Sequence, residues 1–117
     1  MITKEDFTEL EAQIDQYAKS KQLKSSEAKL KLDDYFALIE QYFKQINHIQ
    51  TINFSDLDAY PVVPMNFEER YHYMIARKYH FMGYSQMKTL KSELIKMNAS
   101  YQIRSKTENY SYFVHIV

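Results

Sequence analysis

Residues 71–84 read YHYMIARKYHFMGY and hold five aromatic rings, two histidines, two methionines and the single glycine of the chain. Rings interleaved with basic groups support two kinds of recognition. Tyr and Arg are the anchors that protein interfaces favour. The same rings can stack on unpaired bases while cations hold the backbone. Wound as a helix, this stretch puts His72, Tyr73, Ala76, Tyr79 and His80 on one face with Arg77 beside them. Tyr73, Arg77, Tyr79 and His80 are the candidate partner-binding residues, continued by Lys88, Ser92 and Lys96 further along. The competing structural reading is a central helix covered by another helix of the same chain.

Other reactive groups form no catalytic pattern. One glycine excludes a glycine-rich phosphate loop, and the absence of cysteine excludes thiolate nucleophiles, disulfides and thiolate zinc sites. His72 and His80 stand at i and i+8, with Ala76 where a second metal ligand at i+4 would be needed. His48 and His115 are isolated. Asp33-Asp34 sits on the expected solvent face of a helix, and Asp56-x-Asp58 in a connector. No metal, cofactor or enzymatic activity is expected.

The positioning elements follow from apolar spacing. Thr3 with Asp6 is a weak capping box for a first helix, whose inner row is Phe7, Leu10, Ile14 and Tyr17, ending near Lys21. Ser25 or Ser26 caps a second. There Ala28, Leu32, Tyr35, Ile39, Tyr42, Ile46 and Ile49 alternate spacings of four and three on one seam. The short break predicts an antiparallel hairpin over residues 1–50, with Phe7 meeting Tyr42 and Ile14 meeting Tyr35. Phe36 and Phe43 widen the second helix's stripe to about 140°. Its partner cannot cover that width, so the helix is expected to pack on the second half of the chain or on a second copy, as a homodimer through residues 28–49.

Residues 51–66 form a connector, because Pro61 and Pro64 exclude a helix; a short edge strand at 61–64 fits their extended preference. Asn66 with Glu69 predicts a third helix with an inner face of Phe67, Tyr71, Met74, Ile75, Phe81 and Met82, stopped by a left-handed Gly83. Ser85 then caps a fourth helix, with a seam of Met87, Leu90, Leu94 and Met97, ending near Asn98. Tyr101 and Ile103, then Tyr110, Tyr112, Val114 and Ile116, alternate with their neighbours, which predicts a β-hairpin over 99–117 turning at residues 106–109. The expected fold is one mainly α domain: a helical hairpin packed on a helix-turn-helix pair (67–98) with a C-terminal β-hairpin.

That order of elements is similar to winged-helix DNA-binding domains, in which the second helix reads the major groove. The likeness implies a second expectation, duplex DNA contacted by Gln86, Lys88, Thr89, Lys91 and Lys96, with Arg104 and Lys106 on the wing. Charge neither requires nor excludes it. The chain is neutral overall, but residues 1–65 carry seven basic and eleven acidic residues, against eight and four in residues 66–117. The halves either attract each other or leave the basic one for a polyanion.

Composition completes the expectations. With 117 residues, 45% hydrophobic and 26% charged, the chain has enough apolar material for one modest core. No apolar run reaches the roughly 20 residues that span a bilayer. The N-terminal MITKEDF lacks secretory character, and the absence of cysteine suits a cytoplasmic location. The richness in Lys, Ile, Asn and Tyr suits an AT-rich genome, a phage or a mobile element. The leading expectation is a small non-enzymatic regulator or inhibitor that occupies a protein or nucleoprotein of the host.

Overall fold

The computed structural model describes residues 1–116, with side chains through Lys106. Four α-helices form the domain: α1, Lys4–Lys19; α2, Ser26–Asn47; α3, Phe67–Ala76; and α4, Phe81–Ile116, with a 3₁₀ segment at Phe54–Ala59 in the connector. The first two begin where the sequence signals them. The Asp6 carboxylate accepts the Thr3 N–H at 2.8 Å, and Ser25 Oγ accepts the Ala28 N–H at 3.2 Å.

The centre of the fold is α2. Its seam residues Ala28, Leu32, Tyr35, Ile39, Tyr42 and Ile46 are buried, with Phe7 and Ile14 of α1 among them. Phe7 sits edge-on to Tyr42, with centroids 5.5 Å apart, and to Tyr35 at 6.1 Å. The surplus width is covered within the chain. Phe43 stacks on Phe67 of α3 at 4.3 Å, and Phe36 packs against Tyr71 at 5.4 Å. The connector closes this side through Asn47. Its buried amide donates to the Phe43 and Val62 carbonyls at 3.0 and 2.9 Å and accepts the Val62 N–H at 2.8 Å. Those bonds satisfy Val62 without a strand, and the described residues contain none; the edge strand at 61–64 is absent.

The main correction concerns the C-terminus. No β-hairpin follows residue 98: α4 continues unbroken through Asn98 and the expected turn to Ile116. Between Tyr84 and the end of the helix there is no glycine or proline to stop it. The seam Met87, Leu90, Leu94, Met97 continues at helical spacing to Tyr101, which packs against the core. A helix nucleated by that packing extends at little further cost, and this overrides the strand preference of the Tyr, Ile and Val residues. Without a hairpin there is no wing, and Arg104 and Lys106 lie on α4 itself. Thirty-six residues make α4 about 54 Å long, and the molecule is elongated, 61 × 30 × 21 Å.

A second correction moves the α3–α4 junction. α3 ends at Ala76 and α4 starts at Phe81, so Ser85 caps nothing and Gly83 lies inside α4 with ordinary helical backbone. Ile75, Phe81 and Met82 are exposed rather than inward, and Tyr84 is fully buried. Asn66 does precede α3, but it takes a left-handed conformation (φ 57°) and its side chain caps nothing.

Tyrosine–carboxylate bonds join the helices, two of them across the two halves of the chain. Tyr35 donates to Glu11 at 2.5 Å, Tyr84 to Asp15 at 2.7 Å, and Tyr71 to Glu40 at 2.5 Å. Burial first, and then the carboxylate, raises all three phenols well above their ordinary range. A raised phenol stabilises the fold below its unfolded value of about 10, and that contribution is lost as pH rises toward the folded-state value. Resistance to urea should therefore fall steadily above about pH 10, with these three phenols ionising only as helicity is lost. The Tyr35→Phe/Tyr84→Phe double variant should show a flatter dependence. Equal slopes in the two proteins would mean that these phenols do not link stability to pH.

Candidate functional site

The α3–α4 junction is a tight turn. The His80 N–H donates to the Arg77 carbonyl at 3.0 Å, and the Tyr84 N–H donates to the His80 carbonyl at 2.9 Å as the first bond of α4. The turn closes because residue 83 has no Cβ. A Cβ there would overlap the Arg77 carbonyl and lie 2.9 Å from the Arg77 Cβ.

Two residues of the turn reach inward to α2. Asp33 accepts Tyr79 Oη at 2.7 Å and Lys78 Nζ at 2.9 Å. These two donors hold the Asp33 carboxyl below its ordinary value, while the carboxylate and then burial raise the Tyr79 phenol. The Lys29 ammonium lies 5.2 Å from the centre of the Tyr79 ring, and Lys78 lies 5.2 Å from that of Phe36. Asp33, expected on a solvent face, thus anchors the turn.

With the turn fixed, its outer residues form a surface. Phe81 and Met82 are 60% and 59% exposed and adjacent. One groove of about 440 Å³ is lined by Tyr73, Arg77, His80, Phe81 and Met82. On the other side of His80 and Phe81 a second, of about 430 Å³, is bounded by Tyr79 and by Lys21, Leu23 and Lys24 of the α1–α2 loop. Three of the four residues singled out around helix three, Tyr73, Arg77 and His80, therefore share one groove. Tyr79 lines the other with its hydroxyl committed to Asp33. Phe81 and Met82 escape a sequence reading that carries α3 up to Gly83. The part played by Lys21, Leu23 and Lys24 depends on the loop folding over the turn, which leaves no local signal.

The residues of α4 lie elsewhere. Lys91 pairs with Glu11 at 2.8 Å and Lys88 with Asp15 at 3.5 Å, the Lys88 ammonium also lying 4.7 Å from the Tyr84 ring centre. Ser92 is half-buried and Thr89 donates to the Ser85 carbonyl at 3.1 Å. Gln86 borders a shallow groove with Glu69, Arg70 and Tyr73. Lys96 and Arg104 border another with Pro61, Met97 and Ser100, and Lys106 is exposed. The basic half thus meets the acidic half through Lys78, Lys88 and Lys91, and Arg70 pairs with Glu93. Among the described residues no three histidines or carboxylates converge as metal ligands, and no helix is long and apolar enough to cross a membrane. His115 lies outside the described side chains.

Residues 2–106 match the model of a protein family described as YpoC-like protein. No curated protein and no solved structure matches the chain.

Proposed function

This chain belongs to the YpoC-like protein family, and we propose that it is a small non-enzymatic binding protein, a regulator or inhibitor that acts by occupying a macromolecular partner at the α3–α4 turn. The observation that carries this reading is the adjacent exposure of Phe81 and Met82 beside Tyr73, Arg77 and His80 on a turn held rigid from beneath. Large apolar side chains grouped on a surface and rimmed by polar ones mark interaction sites, and a fixed surface loses little entropy on binding. The tyrosine hydroxyls support recognition better than catalysis. Those of Tyr35, Tyr71, Tyr79 and Tyr84 are committed to carboxylates and held in the protonated form. Lys88 and Lys91, which a DNA-reading α4 would need, are engaged by Asp15 and Glu11.

The test is capture by the full chain against its Phe81→Ser/Met82→Ser variant. Both side chains are solvent-facing, so the variant should retain its helicity and melting temperature. It should lose the wild-type partner by about tenfold or more, equivalent to about 1.4 kcal/mol. Equal capture by the two proteins would rule the turn out as the docking site.

A further inference from the structure

We infer that the partner offers this turn an acidic, apolar peptide segment, which straddles His80 and Phe81 and sets an apolar side chain into each flanking groove. The inference rests on the turn being the docking site and adds the chemistry of what docks. Its first ground is charge. Lys21 and Lys24 border one groove and Arg77 the other, and neither groove has an Asp or Glu in its lining. Among the described residues Lys21, Lys24 and Arg77 form no ion pair, whereas Arg70, Lys78, Lys88 and Lys91 each do. What distinguishes these three is position: they surround an apolar centre whose two grooves have no carboxylate in their linings.

The second ground is the character of that centre. Ala18 and Leu23 line one groove, Met82 the other, and Phe81 stands between them. Each volume falls in the range of roughly 300–1,000 Å³ typical of small binding pockets. Apolar anchors at helical spacing, flanked by carboxylates, satisfy both features, as in the helix-in-groove mode of recognition. A nucleic acid fits less well. Its affinity grows with the number of phosphates neutralised, and three cations around methionine and leucine supply little of that. Rim charges contribute mainly to orientation and encounter rate, and the buried apolar anchors to residence time.

The experiment uses the full chain with fluorescently labelled synthetic probes, read by anisotropy. The probes are an amphipathic helical peptide with Leu and Phe on one face and Glu on the other, its Lys-for-Glu counterpart, its Ser-for-Leu/Phe counterpart, and single-stranded oligothymidine. The acidic amphipathic peptide should bind in the micromolar range, at least about tenfold tighter than the other three. The Lys21→Glu/Lys24→Glu/Arg77→Glu variant should weaken it by about tenfold or more at unchanged helicity, and Phe81→Ser/Met82→Ser by a similar factor. Equal binding of the basic peptide, tighter binding of oligothymidine, or indifference to charge reversal would each overturn the inference. A photo-crosslinker at position 82, applied in cells, separates the two readings. A crosslinked partner segment rich in carboxylates and apolar residues supports the inference. One that lacks carboxylates overturns it while leaving the turn as a docking site, and absence of any crosslink at position 82 removes both.

Discussion

Gly83→Ala should destabilise the domain by about 3 kcal/mol or more, at the upper end of the range for overpacking a closed interior. In a helix the exchange would ordinarily gain up to about 1 kcal/mol, because alanine is the better helix former. The sign reverses here because the added methyl meets the Arg77 carbonyl, main chain fixed by its own bond to the His80 N–H, and not a side chain free to swing away. Relief requires α4 to back away from the end of α3, which pulls Tyr84 out of the core and unseats Phe81 and Met82. The melting temperature should fall by about 10 °C or more, and affinity at the turn should fall with it. Thermal denaturation followed by circular dichroism decides the point. A variant as stable as the wild type would show that the turn has slack.

Glu11→Ala is the second large effect. The Glu11 carboxylate accepts Tyr35 Oη at 2.5 Å and Lys91 Nζ at 2.8 Å, and the Tyr35 side chain is fully buried. Removing the carboxylate leaves a hydroxyl without an acceptor and a largely buried ammonium without a counter-charge. Breaking a buried pair from one side costs about 3–5 kcal/mol, and the 12% and 18% exposure of the two side chains places the expected loss near the lower figure. Lys91→Met alone should cost less, because Glu11 retains Tyr35. The double variant should cost at least about 1 kcal/mol less than the sum of the singles, since neither charge is then stranded. Urea titrations of the four proteins measure this coupling. Strict additivity would mean that Glu11 and Lys91 do not act as a pair.

The amino-terminal half was legible because its signals are local and agree with one another. The Thr3–Asp6 pair, the Ser25 hydroxyl cap, the short break and the alternating seam from Ala28 to Ile49 all specify one hairpin. The excess width of Phe36 and Phe43 required a further layer, and Phe67 and Tyr71 supply it. The carboxyl-terminal third set two local signals against each other. Spacing from Met87 to Tyr101 is helical, whereas alternation and β-branched residues after Tyr101 favour a strand; packing of the first part decided for helix. Gly83 misled for a related reason. A glycine near a helix end suggests a left-handed stop, and only the approach of Arg77 shows that it serves close packing. Tyr73, Arg77 and His80 could be found from residue type, but Lys21 and Lys24 join them only through the fold. The unequal charge of the two halves hinted at attraction without revealing that Lys88 and Lys91 would be bound to Asp15 and Glu11.

The ionic contacts between α1 and α4 have a kinetic corollary. Lys88 and Asp15 are 73 positions apart along the chain, whereas α1 and α2 meet across a short loop. Contacts of such different separation differ in closure entropy, and local ones form first. Docking of α4 on α1 is therefore expected late in renaturation, after the rate-limiting barrier. Weakening it at Asp15, whose partners Tyr84 and Lys88 both lie on α4, should leave the refolding limb of a chevron nearly unchanged and speed the loss of the native state, so that the lifetime of the assembled molecule is governed by its longest-range contacts.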